Sequence, residues 1–294
     1  MSPLSCPSCR RPVAVARDRC LYCGEALPSH LVPDRSPPGP SGPGEPEAPT
    51  RTLVILDLDT AEPARLVSAL GLAPYEAELL ARRGGFHLHR VLAPPLAEAE
   101  AQRLHAEGLR VETVGEAETR TPPLRALGGQ RGQGALTLRT EEGPVTLRRR
   151  DLLIVVRGPI ARQYQPVYRR RRVDTTSLEE GYRVHLHRRA ARRPVEIDAA
   201  NFEFGLAVTD STRLELEAWV EEVAANVAED DAFRRLPPAF GMAEPEPRGP
   251  LAAASALGRG AGPGAEGESV VLDNVGQFRF YSAWRAALER RRAG

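Results

Sequence analysis

Four cysteines, all that the chain contains, stand as Cys6-Pro7-Ser8-Cys9 and Cys20-Leu21-Tyr22-Cys23 near the start of the sequence. Two Cys-x-x-Cys pairs with ten residues between them can close a tetrahedral Cys₄ site, each thiolate about 2.3 Å from one Zn²⁺. Gly24 follows the second pair and suits the tight left-handed turn of a zinc knuckle. Two disulfides would use the same residues, but the chain opens without a signal-peptide pattern, and cytosolic thiols stay reduced. A redox dithiol needs only one pair. A catalytic zinc needs an open position supplied by other ligands, and no histidine or carboxylate interrupts the set. The expectation is a structural Zn²⁺ held by Cys6, Cys9, Cys20 and Cys23.

Other residues invite chemistry less strongly. Asp57 and Asp59 end a hydrophobic strand and resemble the Asp-x-Asp opening of haloacid-dehalogenase-like phosphatases, where two carboxylates work around magnesium. That family's later lysine has no counterpart here, so the pair reads as a strand end before an N-capping Thr60. His87 and His89, and again His185 and His187, alternate along strands and could hold a metal or move protons. Phe86, Leu88, Tyr182, Val184 and Leu186 occupy the opposite positions, so the histidines are expected on solvated faces. Residues 139–193 hold 15 arginines against six acids, with Tyr164, Tyr168 and Tyr182 nearby. Such a stripe could bind phosphate backbones or stack bases, or meet anionic lipid or an acidic protein. Solvated turns and salt-bridged strand faces are the expected account, with polyanion binding the alternative. The glycines of residues 128–134 follow no predicted strand and make no phosphate loop.

Composition narrows the classes. All 40 basic residues are arginine, since the chain has no lysine. This excludes a Walker A lysine, a pyridoxal Schiff-base lysine and the kinase strand lysine. Net charge is +1, so no global field favours polyanions. No apolar run approaches the roughly 18–20 residues that span a bilayer, and a soluble cytoplasmic protein is expected.

Three Pro/Gly-rich stretches divide the chain. The expected organisation is an α+β multi-domain protein. A zinc ribbon (1–27) precedes a disordered linker (28–50), an α/β module (51–114), a second linker (115–134) and a β-rich block (135–240). A third linker (241–268) and a C-terminal amphipathic helix (269–294) follow. In the α/β module, Leu53–Leu58 reads as a strand, Pro63 and Pro74 open helices, and Phe86–Val91 alternates as a strand. Pro94-Pro95 precedes a further helix, and Leu109–Val114 closes the module as a strand. The order is β-α-α-β-α-β. In the β-rich block, five strands precede an amphipathic helix over 211–229, which suggests a small barrel or sandwich plugged by that helix.

With that order, the run Leu96-Ala97-Glu98-Ala99-Glu100-Ala101 through Ala106-Glu107-Gly108-Leu109-Arg110-Val111-Glu112, and the junction Gly71-Leu72-Ala73-Pro74-Tyr75-Glu76-Ala77, resemble the C-terminal domain of the bacterial ribosomal stalk protein, a fold shared with Clp protease adaptors. The resemblance covers about 60 residues and implies a protein-binding module. The stalk domain's lysines are absent, so no binding residues carry over. On architecture alone, the β-rich block resembles bacterial PH-like domains, a likeness that identifies no ligand.

Phe278, Phe280, Tyr281 and Trp284 concentrate aromatics in the last helix, which is expected to dock back onto the β block or to lie in a partner's groove. Together these features point to a non-enzymatic adaptor or scaffold that binds protein partners through small modules. The alternative is a nucleic-acid-associated protein using the zinc ribbon and the arginine stripe. An enzyme whose site the sequence does not display is a further rival.

Overall fold

Leu53, Val54, Ile55 and Leu56 are all buried, because the strand that carries them has a core on each face. A computed structural model describes residues 50–132, 134–166, 178–203, 212–242 and 269–293. The predicted zinc ribbon, the linker residues 28–49, Arg169–Arg172 and the linker residues 243–268 lie outside the described residues. What is described is a mixed α/β structure with two sheets and five helices.

Strand β1 (Thr52–Asp57) is followed by α1 (Pro63–Leu70), α2 (Pro74–Arg83), β2 (Phe86–Leu92), α3 (Pro94–Ala106) and β3 (Arg110–Gly115). This is the predicted β-α-α-β-α-β order. The strands make an antiparallel sheet in the order β2-β1-β3. Each helix opens on a proline at its first turn, where a missing N–H leaves no bond unmade. Thr60 does not cap α1; Glu62 holds that position without a side-chain capping bond. The Asp57-x-Asp59 pair instead builds loops. Asp57 Oδ1 accepts the Asp59 N–H at 3.2 Å, and Asp59 Oδ1 accepts the Gly85 N–H at 2.7 Å.

The second sheet begins inside the stretch read as a linker. After a 3₁₀ turn at Glu116–Thr119 come β4 (Leu124–Gly132), β5 (Ala135–Thr140), β6 (Gly143–Arg148), β7 (Leu152–Pro166), β8 (Leu178–Arg188) and β9 (Val195–Asp198). Then follow α4 (Thr212–Ala224), β10 (Ala228–Asp230), β11 (Gly241–Met242), β12 (Ser269–Asp273) and α5 (Val275–Ala293). Strand order is β11-β12-β7-β8-β9-β4-β5-β6, with β10 alongside β7. The pairs β4·β9 and β10·β7 are parallel, so the sheet is no simple up-and-down meander. Ala228 and Glu229, expected in the predicted 211–229 helix, belong to β10 instead.

This sheet curls. Laid flat, β6 and β7 would stand five spacings apart, about 24 Å. The chain from Arg148 to Leu152 can span only about 14 Å. The concave face is filled by α4: Leu216, Trp219, Val220 and Val223 join Leu136, Leu138, Leu147, Val184, Leu186 and Ile197 in one core. The helix expected to plug the β block therefore does so.

Helix α5 is not amphipathic in its setting. Phe278, Tyr281, Ser282, Trp284, Arg285, Ala286, Ala287 and Leu288 are all buried, round most of its circumference. It packs with Leu53, Ile55, Phe86 and Val114 of the small sheet and with Ile154, Val156 and Ile160 of β7 in a shared core. The other face of the small sheet carries α1, α2 and α3 on Val54, Leu56, Leu66, Ala97 and Leu104. The expected independent modules over 51–114 and 135–240 are thus one body from residue 50 onward. Of the two dockings foreseen for the last helix, the internal one is observed.

Candidate functional site: a sealed polar cluster under α5

The histidines expected in solvent are inside. His185 and His187 are each 1% exposed. Tyr182, Val184 and Leu186 face α4, as alternation predicts, but α5 covers the opposite face of β8. A sequence pattern that alternates polar with apolar cannot show that a later helix returns to cover the polar side.

Under α5 these side chains interlock. Ser282, fully buried, places Oγ 2.8 Å from His185 Nδ1 and 2.7 Å from His187 Nε2. His185 Nε2 lies 2.9 Å from Glu196 Oε2 on β9. The Glu196 carboxylate also accepts Arg183 Nη1 at 2.7 Å, and Arg279 Nε and Nη2 at 2.8 Å each. Arg183 Nη2 reaches Asp198 at 3.3 Å. Two guanidinium cations and two carboxylates balance, so neither imidazole has to carry charge.

The hydrogen bonds assign the protons. Glu196 only accepts, so His185 donates from Nε2 and accepts at Nδ1 from the Ser282 hydroxyl. Ser282 Oγ then accepts from His187 Nε2–H. His187 Nδ1 is left as a bare lone pair, and among the described residues it is one of the buried polar atoms with no hydrogen-bond partner, together with Glu116 Oε2, Arg188 Nε and Arg285 Nη1. Burial pushes both histidines below the usual range. For His185 the neighbouring Glu196 works against that push, and for His187 the cations Arg290 and Arg285 add to it. Burial also opposes ionisation of Glu196, yet Arg279, His185 and Arg183 hold its carboxyl well below the ordinary value.

A second buried set flanks this one. Asp230 accepts the Tyr281 hydroxyl at 2.8 Å and Arg285 Nε, and it caps the Ala232 N–H at 2.9 Å. Arg285 also stacks over Phe86 at 4.3 Å. Burial first, and Asp230 second, raise the Tyr281 phenol.

Serine, histidine and glutamate in hydrogen-bonded sequence are the parts of a nucleophile triad. Here the serine hydroxyl donates to one imidazole and accepts from another with no exposed surface. The cluster as built fastens α5 to β8 and β9. His87 and His89 are likewise more covered than expected: His87 Nδ1 meets Arg83 Nη2 at 2.6 Å and His89 Nε2 meets Glu100 at 2.9 Å. Burial, Arg83 and His89 lower His87 to about 4.

Comparison with protein-family models, curated proteins and solved structures returns no match. Among the described residues no group of three or more His, Cys, Asp or Glu could hold a metal, and no helix is long and apolar enough to cross a membrane.

The arginine stripe divides in the structure. Arg139 pairs with Glu203, Arg157 with Glu229, Arg183 with Glu196 and Arg193 with Glu142. Arg148, Arg149 and Arg150 instead line an open depression of about 470 Å³ beside Gly134. On α2 only Ala77 is buried, while Tyr75 is 69% and Leu79 48% exposed. Four positions apart, these two apolar side chains share one helix face.

Proposed function

We propose that this chain is a non-enzymatic cytoplasmic adaptor that docks a protein partner on α2 and carries a structural zinc ribbon. The observation that carries the reading is the exposed pair Tyr75 and Leu79. An aromatic and an aliphatic side chain at helical spacing suit an apolar cleft in a partner. The resemblance of residues 51–114 to the stalk and Clp-adaptor fold points the same way, since that fold is used for docking.

The donor set Cys6, Cys9, Cys20 and Cys23 fits Zn²⁺. Four soft thiolates satisfy a tetrahedral ion completely, and two Cys-x-x-Cys turns supply them in pairs. The metal would give folding free energy to a segment too short to bury a core of its own.

The test is affinity purification of the tagged full chain with quantitative mass spectrometry, beside a Tyr75→Ala/Leu79→Ala variant of unchanged melting temperature. The adaptor reading expects a stoichiometric protein partner that the double variant loses. Recovery of no such partner, or equal recovery with the variant, overturns it.

A further inference from the structure

Most arginines described in this chain are neutralised by a carboxylate, and several that are not gather at one corner. The β6–β7 turn supplies Arg148, Arg149 and Arg150. The β8–β9 turn supplies Arg189 and Arg192. The fold brings these turns together: Leu152 pairs with Arg188 across β7 and β8, and the Arg189 N–H donates to the Asp151 carbonyl at 2.9 Å. Arg290 of α5 closes over the second turn, donating from Nη2 to the carbonyls of Ala191 and Arg192 at 3.2 and 3.4 Å.

Acids at this corner are few and mostly occupied. Asp151 Oδ2 accepts the Arg148 backbone N–H at 2.9 Å, and Asp151 reaches Arg150 only at 4.0 Å. Glu142 is taken by Arg193 at 2.7 Å. Among the described residues Arg148, Arg149, Arg189 and Arg192 make no ion pair, and all four are exposed. Like charges crowd here: Arg290 is pushed below the ordinary guanidinium range by burial first and by Arg192 second, with Glu118 opposing. Elsewhere among the described residues most arginines pair with carboxylates, and Arg83 and Arg235, which do not, are held by His87 and by a backbone carbonyl, so this concentration is not a mere result of an arginine-only composition.

We propose that this corner, Arg148, Arg149, Arg150, Arg189, Arg192 and Arg290, binds the phosphate backbone of nucleic acid without reading its bases. Guanidinium forks match phosphate oxygens two at a time. The depression is broad and open, and its described lining is glycine and arginine alone. It offers charge to a passing strand but no base-reading amides. A lipid surface would call for apolar anchors beside the cations. Among the described residues the large exposed apolar ones, Tyr75, Leu79, Leu96 and Leu214, lie on α2, α3 and α4 and not in either turn. The inference stands apart from the α2 docking reading, and each can fail alone.

The experiment is fluorescence anisotropy on the full chain with labelled single-stranded RNA and duplex DNA, from about 50 to about 200 mM salt. Binding is expected, with log K falling linearly against log salt and little dependence on base sequence. Arg149→Glu/Arg189→Glu should weaken it about tenfold or more and reduce the single-strand salt slope by roughly 1.4, about 0.7 for each phosphate lost. Arg149→Gln/Arg189→Gln, which adds no repulsion, should move both readouts in the same direction and stands in if the charge-reversed chain does not fold. No binding by the natural chain, or binding unchanged in the double variant, overturns the proposal. So does equal or tighter binding to polyglutamate or to phosphatidylserine vesicles, which would assign the corner to an acidic protein or a membrane.

Discussion

Arg279 of α5 and Glu196 of β9, 83 positions apart, meet as a two-pronged pair, Nε to Oε2 and Nη2 to Oε1 at 2.8 Å each. Glu196 is the shared acceptor for Arg183 and His185 as well, so the two members of the pair are not equivalent. Glu196→Ala takes from the buried Arg183 cation its 2.7 Å partner, leaving Asp198 at 3.3 Å, removes the acceptor of His185, and should lower stability by about 3–5 kcal/mol. Arg279→Ala leaves Glu196 with two other donors and removes a side chain that is 17% exposed. It should be the milder change, and urea denaturation of both variants tests that order.

Acid should weaken the fold through its histidines. His185 and His187 are held below the ordinary range, and His87 at about 4. The unfolded chain takes up these protons near pH 6.5 while the folded chain does not. The stability they contribute is therefore complete above about pH 6.5 and declines as pH falls below it. The limiting slope is about 1.4 kcal/mol per pH unit for each histidine that stays neutral. Urea midpoints measured between pH 7.5 and pH 5 should fall accordingly. The slope should flatten in His187→Gln, since that side chain no longer titrates; an unchanged slope would show that His187 is not among the groups responsible.

Phe278 is fully buried in the core that α5 shares with both sheets, with its ring 4.8 Å from His185 of β8 and 5.2 Å from Phe233 in the turn after β10. Phe278→Ala should cost about 3–5 kcal/mol. Because α5 lies in a core common to both sheets, calorimetry of residues 50–294 should show one transition, and the variant should shift it whole. Two resolved transitions would mean that the sheets melt as the independent modules expected from the sequence.

The Cys₄ reading predicts one zinc per chain by elemental analysis, released with a chelator. Cys20→Ser should abolish it while leaving the calorimetric transition of residues 50–294 in place. Full zinc retention in that variant would remove Cys20 from the ligand set.

How much of this was legible beforehand follows from what each residue type can signal. The β-α-α-β-α-β segment was readable because prolines open its helices, Gly71 and Gly84 end two of them at positive φ, β1 is a continuous apolar run and β2 alternates. Strand β4 was not, because Gly128-Gly129 reads as linker. In the structure a Cβ at Gly129 would stand 2.9 Å from Leu138 and 3.1 Å from Phe202, and one at Gly128 would stand 3.0 Å from the Glu203 carbonyl. The glycines mark a close approach inside a sheet, which composition alone does not distinguish from a flexible tether. The histidine–serine–glutamate cluster escaped for a different reason. Its members are spread from residue 185 to residue 282, and only the return of α5 brings them together.

That return also sets an order in time. Strand β1 leaves the ribosome some two hundred residues before α5, roughly 10–40 s earlier at ordinary elongation rates. Until α5 arrives, the core that Leu53, Ile55 and Phe86 on one side share with Ile154 and Val156 on the other lacks Phe278, Tyr281, Trp284 and Leu288. The nascent chain therefore carries apolar surface on two sheets through most of its synthesis, before the helix that completes their common core exists.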